Sequence, residues 1–176
     1  MDLVRFGVIG LGNMGSAHVK NLDSGKIAGA KLTAVCDINP KKLEWAKENL
    51  SADVKCYATH TELLDSGEVD AILIATPHYD HPVIGIEAFE KGLHVLSEKP
   101  IGVYTKKVEE LMAAAEKSGK VFGIMYNQRT SPVYQKVRDM VQGGELGELK
   151  RCIWIITDWY RTQSYYNSGG WRATWA

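Results

Sequence analysis

The sequence predicts an α/β fold: a doubly wound parallel sheet followed by the truncated start of an α+β second domain. Up to about Met125, short runs of β-branched and apolar residues alternate with helical patterns, which is the signature of βαβ units. After Met125 this alternation stops, and a proline-led helix, a long apolar run and an aromatic tail follow. We therefore predict a nucleotide-binding domain at residues 1–125 and the beginning of a second domain at 126–176.

Six strands and five helices are predicted in the first domain. The run AILIA at 71–75 is apolar on both faces, as a strand covered by helices on both sides must be. Pro82 suits the first turn of a helix, because the N–H that proline lacks has no partner there, and Asp80 or His81 would cap that helix. The predicted strands are 5–9, 31–37, 55–58, 71–75, 93–96 and 120–125, and the predicted helices are 13–23, 40–50, 61–65, 82–91 and 106–117.

The remaining residues are interpreted as an incomplete second domain. A helix is predicted at 131–142, led by Pro132 and ended by Gly143 and Gly144, and a long apolar strand is predicted at 149–157. Three tryptophans fall in the last 18 residues. A lone strand with aromatic flanks cannot bury itself, so either a further segment of the protein or another molecule must cover it, and we favour the further segment.

Composition and charge exclude several classes of protein. The 21 basic and 21 acidic side chains cancel without a block of like charge, so we expect no nucleic-acid partner. No apolar run approaches the roughly 18 residues of a membrane span, and MDLVRFGVIG has no signal-peptide core. The three cysteines are widely spaced, which favours reduced thiols and a cytoplasmic location. Two histidines three residues apart have no further ligand cluster near them, so no metal site is expected.

The stretch GLGNMG at residues 10–15 predicts a dinucleotide-binding site of the Rossmann type. It follows a predicted strand and opens a predicted helix, which is the context that gives this weak motif its meaning. Gly10 permits the tight turn, Gly12 lets the backbone approach a diphosphate, and Gly15 lets helix and strand pack closely. Asn13 and Met14 complete the loop, and the helix amino terminus supplies N–H groups for the phosphates.

Asp37 at the end of the second strand indicates NAD rather than NADP. A carboxylate there can hold two hydroxyls of the adenosine ribose and would repel a 2′-phosphate. Lys41 and Lys42 are close enough in sequence to neutralise a phosphate, so NADP stays open as the less favoured cofactor. S-adenosylmethionine-dependent methyltransferases also carry glycine-rich loops, but their sheets end in an antiparallel hairpin that this sequence lacks.

Further motifs follow the fourth and fifth strands. ATPHYDH occupies residues 75–81, a predicted helix ends in Lys91-Gly92, and His94-Val95 leads into Glu98-Lys99-Pro100. Together with the glycines, this pattern resembles the Gfo/Idh/MocA family of oxidoreductases, which includes glucose–fructose oxidoreductase and inositol dehydrogenase. The resemblance covers the whole chain, and EKP in its place after the fifth strand is its most specific part.

The resemblance implies a role for each matching residue. Lys99 would act as the catalytic residue at the reacting substrate oxygen, Glu98 would help to position the nicotinamide ribose, and Pro100 would fix the turn. Other positions match family residues that line the cofactor: Ala75, Thr76, Pro77, His78, His81, Gln128 with its neighbours Asn127 and Arg129, and the pair Trp171-Arg172. Aromatic packing is an alternative reading of Trp171.

The sequence also departs from the family pattern. Family members continue with an antiparallel sheet domain that carries an acid/base histidine, whereas all five histidines here precede the EKP motif. We therefore expect this fragment to bind cofactor without activity of its own. The parent protein is expected to be an NAD-dependent dehydrogenase of sugars, cyclic polyols or related hydroxy compounds, and a homo-oligomer assembled through the second-domain sheet. The alternatives are a non-catalytic NAD(H)-sensing module and NAD-assisted elimination or glycoside cleavage on the same fold.

Overall fold

The structure is a computed structural model, and it describes residues 3–158 and 160–167. The chain divides into two compact units, Met1–Tyr126 and Asn127–Ala176, called here the first and second units. Trp171 and Arg172, which were predicted to enter the cofactor pocket, lie outside the described residues.

The first unit is a six-stranded parallel sheet with helices on both faces, which confirms the predicted fold class. The strand order is β3-β2-β1-β4-β5-β6, the order of a doubly wound dinucleotide-binding sheet. The strands are β1 Val4–Ile9, β2 Ala30–Cys36, β3 Lys55–Tyr57, β4 Ala71–Ile74, β5 His94–Ser97 and β6 Phe122–Ile124. The helices are α1 Asn13–Asp23, α2 Pro40–Asn49, α3 His60–Asp65, α4 His81–Glu90 and α5 Thr105–Ser118.

Two hydrophobic cores lie on opposite faces of this sheet. Alternate side chains of a strand point to opposite faces, so Val8 joins one core while Ile9 joins the other. Leu73 and Ile74 divide in the same way along β4. Because both faces are covered, all four β4 residues are buried, which explains the uninterrupted apolar run in the sequence.

The observed elements differ from the predicted ones mainly at their ends, and β6 shows the reason. It was predicted at 120–125 and is observed at Phe122–Ile124. The Val121 N–H donates to Nδ1 of His94 at 2.9 Å instead of to a strand carbonyl, and the Val121 side chain is exposed. The His94 side chain takes the place of a backbone hydrogen-bond partner in the sheet, and sequence periodicity does not reveal such an exchange.

The second unit contains a 3₁₀ turn at Asn127–Thr130, α6 at Pro132–Gln142 and α7 at Gln163–Asn167. The predicted strand at 149–157 was wrong, because these residues have no regular secondary structure. Ile153 and Ile155 are exposed, and Trp154 stacks on Tyr134 with ring centroids 5.5 Å apart. A strand exists only when its backbone pairs with another strand, and no described residue of this unit pairs with the segment.

Arg5 and Asp70 join the amino ends of β1 and β4. Arg5 donates from its backbone N and Nε to Oδ2 of Asp70, at 2.9 and 3.1 Å, and from Nη2 to Oδ1 at 2.6 Å. The side-chain hydrogen bond from Arg5 lowers the pKa of Asp70 below its ordinary value. The ionised carboxylate is therefore more stable in the folded chain than in the unfolded chain.

This lowered pKa predicts a loss of stability in acid. A depressed folded-state pKa contributes stability that is present above the unfolded-state pKa of about 3.9 and is lost as pH falls through the folded-state value. We expect the free energy of unfolding, measured with urea between pH 7 and pH 2.5, to fall less steeply below about pH 4 in Asp70→Asn than in the wild type. Glu109→Gln, at an exposed carboxylate with no ion pair among the described residues, is the control. Parallel curves for wild type and Asp70→Asn would contradict the prediction.

Across residues 3–158 and 160–167, no helix has the length and apolar character needed to cross a membrane. The same residues contain no group of three His, Cys, Asp or Glu side chains arranged to hold a metal ion. Cys36 is buried at the end of β2, and burial raises the pKa of its thiol to about 12, so this cysteine is a neutral core residue.

Candidate dinucleotide-binding site

The glycine loop, residues 10–15, connects β1 to α1 and packs too closely for other residues at two positions. Gly10 has φ +94°, and a Cβ there would lie 2.7 Å from the carbonyl oxygen of Ala75. A Cβ at Gly15 would lie 1.7 Å from the carbonyl oxygen of Gly10. Both distances are far below a van der Waals contact, so glycine is required at each position for the loop, α1 and β4 to meet.

Gly12 differs from these two glycines, because the space around it is open. No heavy atom lies within 4 Å of the position that a Cβ would take, and Gly12 is the N-cap of α1 without a side-chain cap. The first turn of α1 leaves N–H groups without helical partners and carries the positive end of the helix dipole. Asn13 and Met14 are exposed on this turn. An open backbone at a helix amino terminus fits a diphosphate.

Asp37 lies beside the glycine loop and holds it in place. Its Oδ2 accepts from the Leu11 N–H at 2.7 Å, and its Oδ1 accepts from the Asn39 N–H at 2.8 Å. A carboxylate has about four lone-pair sites, so two remain for outside donors such as ribose hydroxyls. The carboxylate therefore fits the predicted role while also fixing the loop, a second role that the sequence did not indicate.

Ile38, which follows Asp37, was not predicted to be functional. Its side chain is 90% exposed, although isoleucine is among the residues most often buried. An apolar surface beside a carboxylate that is predicted to hold ribose would suit the adenine ring. The only sequence signal was an apolar residue placed just past the end of β2.

The loop after β4, residues 75–78, meets the glycine loop at the same edge of the sheet. The backbone N–H of Ala75 donates to Ile9 at 2.8 Å, and the Ala75 methyl lies 3.5 Å from the Cβ position at Gly15. Thr76 and His78 are half-buried and Pro77 is exposed. The structure thus brings together the glycine loop and the 75–78 loop.

The lysine turn, residues 98–100, follows β5 at this same edge. Glu98 is 7% exposed; its Oε1 lies 2.8 Å from Nε2 of His18, and its Oε2 accepts from the Lys99 N–H at 3.2 Å. The Lys99–Pro100 peptide bond is cis. Lys99 is exposed, and its ammonium has no hydrogen bond or ion pair within the described part of the chain. A cation at the mouth of a strand is therefore available to a ligand.

His81 lies below these loops rather than in contact with solvent. It was predicted to line the cofactor, but its side chain is fully buried. Its Nδ1 lies 2.9 Å from the Pro100 carbonyl oxygen, and its Nε2 lies 2.9 Å from the Thr76 carbonyl oxygen. Both ring nitrogens thus have partners inside the protein. His81 therefore supports the loops from beneath, and the direct contact with the cofactor that was expected of it is corrected.

His18 is a site residue that the sequence analysis missed. It lies on α1 three residues after Gly15, so both residues are on one face of the helix. That spacing was the available signal, but a histidine in a helix has no recognisable partner until the fold brings Glu98 to it. Gln128 is exposed in the 3₁₀ turn of the second unit, and its predicted cofactor contact stays a prediction.

The fold and the site define a nucleotide-binding domain of the Rossmann class, with a glycine loop and an acidic residue on adjacent strands. Residues 4–126 match the family model described as "Oxidoreductase family, NAD-binding Rossmann fold", Gfo/Idh/MocA. The chain belongs to this family, which confirms the predicted family and NAD as its cofactor.

Curated and solved relatives agree with this assignment. The chain is 33% identical over 149 residues to inositol 2-dehydrogenase of Arthrobacter sp. (strain FB24), an alignment that covers 84% of this chain and 44% of the relative. Scyllo-inositol dehydrogenase of Lactobacillus casei, solved with NAD(H) and scyllo-inositol, aligns with a TM-score of 0.78 and 28% identity over 84% of this chain and 43% of that one. The WlbA dehydrogenase of Bordetella pertussis, solved with NADH and UDP-GlcNAcA, aligns with a TM-score of 0.86 and 26% identity. This alignment covers 99% of this chain and 49% of the WlbA chain. The chain spans less than half the length of the curated relatives it matches.

Proposed function

We propose that this chain is the cofactor-binding part of an NAD-dependent oxidoreductase that acts on a CH–OH group. The observation that supports this most is the convergence of Gly12, Asp37 and Lys99 on the carboxyl ends of β1, β2 and β5. In the sheet, β1 lies between β2 on one side and β4 on the other, so the direction in which strands are added reverses at β1. That topological switch point is where doubly wound sheets bind their ligands.

Each residue of the site has a part in this proposal. Bound NAD supplies a nicotinamide ring that accepts or donates hydride. The open backbone at Gly12 and the first turn of α1 hold the diphosphate. The two lone-pair sites left on Asp37 accept the hydroxyls of the adenosine ribose and disfavour a 2′-phosphate. Thr76, Pro77 and His78 border the dinucleotide between its two ends.

Lys99 is proposed as the catalytic residue. Removal of hydride from an alcohol carbon, or its addition to a carbonyl, develops or discharges alkoxide-like charge on the oxygen, and a fixed cation stabilises that charge. The Lys99 ammonium is exposed and carries no internal ion pair among the described residues, so nothing on the described protein surface competes with a substrate oxygen.

The substrate class follows from the relatives. Those compared are named as dehydrogenases of inositols or were solved with a nucleotide sugar, so we propose a cyclic polyol, a sugar or a related hydroxy compound. We also propose that the whole protein is a homo-oligomer assembled through its second domain.

The 176 residues alone are proposed to bind cofactor without turnover. Alcohol oxidation needs a proton acceptor as well as a hydride acceptor, and all five histidines have partners within the chain, His78 through its ring contact with His81. His18 contacts Glu98, His60 pairs with Glu87, and both nitrogens of His81 face carbonyls. His94 accepts from the Val121 N–H.

Titration of the chain with NADH and NADPH, read by energy transfer from its tryptophans to the nicotinamide, tests the proposal. We expect NADH to bind more tightly than NADPH, and Lys99→Ala to leave NADH affinity within about threefold, since a catalytic cation adds little to ground-state binding. Thr105→Ala, at an exposed position, is the control. Absence of NADH binding at millimolar concentration would overturn the proposed function.

A further inference from the structure

We propose that His18 and His81 are positioning residues that hold the lysine turn from its two sides and thereby place Lys99 at the nicotinamide end of the site. This inference rests on the proposed function, since it concerns how that site is kept in shape. The Lys99 ammonium has no partner within the described residues. Its location is therefore set by the backbone of the turn and by whatever holds that backbone.

The first contact lies on the amino side of Lys99. Glu98 is nearly buried, and its Oε1 is 2.8 Å from Nε2 of His18 while its Oε2 accepts from the Lys99 N–H. The side chains of His18 and Glu98 are 14% and 9% exposed. A buried carboxylate is costly unless each oxygen has a partner. His18 supplies one of these partners from α1, the helix whose amino terminus carries the diphosphate site.

The second contact lies on the carboxyl side of Lys99. The Pro100 carbonyl oxygen faces Nδ1 of His81 at 2.9 Å, and Nε2 of the same ring faces the Thr76 carbonyl oxygen at 2.9 Å. His81 thus joins the lysine turn to the 75–78 loop from below. A neutral imidazole donates one N–H and an imidazolium donates two, so in either form at least one of the two loops is bonded to the ring.

The two histidines together connect three segments of the proposed site: α1, the 75–78 loop and the lysine turn. His18 connects α1 to Glu98, and His81 connects Thr76 to Pro100. The three segments reach one edge of the sheet from different strands and have no chain continuity there. Side-chain bonds are a way to fix their relative positions, and preorganised placement of a charged group is what stabilisation of a developing alkoxide requires.

Calorimetric titration with NADH and with ADP-ribose distinguishes positioning from general stability. ADP-ribose carries the diphosphate and adenosine but no nicotinamide, so it does not depend on the lysine turn. We expect His18→Ala to weaken NADH binding about tenfold, because the Glu98 carboxylate, which is expected to position the nicotinamide ribose, loses one hydrogen bond. ADP-ribose binding should change by less than about twofold. His18→Gln keeps an N–H donor and should return NADH affinity to within about threefold of wild type.

His60→Gln is the matched control. His60 also pairs with a glutamate, Glu87, at 3.0 Å, but this pair joins α3 to α4 and does not contact the lysine turn. His60→Gln should change neither the NADH affinity nor the ADP-ribose affinity.

His81→Asn tests the second contact. The unfolding transition of this variant is measured as well, because His81 is fully buried. Equal weakening of both ligands by the His18 variants, or an unchanged NADH affinity in His18→Ala, would overturn the positioning proposal alone. Failure of wild type to bind either ligand would overturn the proposed function as well.

Discussion

Gly12→Val should leave the first unit folded and strongly weaken the binding of NADH. The position that a Cβ would take at Gly12 has no heavy atom within 4 Å, so the protein itself has room for the side chain. The same volume is where a diphosphate would approach the amino terminus of α1. We expect NADH affinity, measured by energy transfer or calorimetry, to fall roughly 100-fold or more, which corresponds to about 2.7 kcal/mol.

Gly12→Val should have only a small effect on the free energy of unfolding, and this distinguishes Gly12 from Gly15. Valine is a poorer N-cap than glycine, so a loss of no more than about 1 kcal/mol in the free energy of unfolding is expected. Gly15→Ala should instead destabilise the fold, since its methyl would lie 1.7 Å from the Gly10 carbonyl oxygen. Ala28→Val, at an exposed position before β2, should change neither property. Normal NADH binding by a folded Gly12→Val would contradict the proposed diphosphate site.

Asp37→Ala should narrow the preference for NADH over NADPH. The substitution removes the acceptor for the ribose hydroxyls and the charge that repels a 2′-phosphate. Lys41 and Lys42 line a cleft with Lys20 between α1 and α2, so nearby positive charge remains to attract a phosphate. We expect the ratio of the two affinities to fall roughly 30-fold, or about 2 kcal/mol, in parallel titrations.

Asp37→Ala should also weaken the fold, because the N–H groups of Leu11 and Asn39 lose their acceptor. An unfolding cost of about 1–3 kcal/mol is expected. Asp23→Ala is a suitable control, since Asp23 also accepts a backbone N–H, that of Ser51, but at the carboxyl end of α1. It should lower stability without changing the ratio of affinities. An unchanged ratio in Asp37→Ala would show that cofactor choice does not depend on this carboxylate.

Most of the first unit could be predicted because its signals are local. The apolar run of β4, the glycine spacing and the position of Asp37 each follow from requirements within a few residues. Roles that depend on distant partners could not be predicted in the same way. Glu98 and His18 are 80 residues apart, and Asp37 fixes the loop at Leu11 from the end of the neighbouring strand.

The predicted strand at 149–157 shows the opposite error. Its residues favour extended backbone, but β-propensity describes how side chains fit a sheet that must already exist. No described residue of the second unit offers a pairing edge, so the propensity is not realised. His81 shows a third case: it was expected to line the cofactor, but only the fold shows that both ring nitrogens face backbone carbonyls of this protein.

A crystal structure of the chain with bound NADH would test the central proposal most directly. We expect the diphosphate over Gly12 at the first turn of α1, the adenosine ribose hydroxyls on Asp37, and the nicotinamide at the carboxyl end of β5 beside Lys99. A dinucleotide bound in the reverse direction, or one whose nicotinamide lies away from the lysine turn, would contradict the role proposed for Lys99.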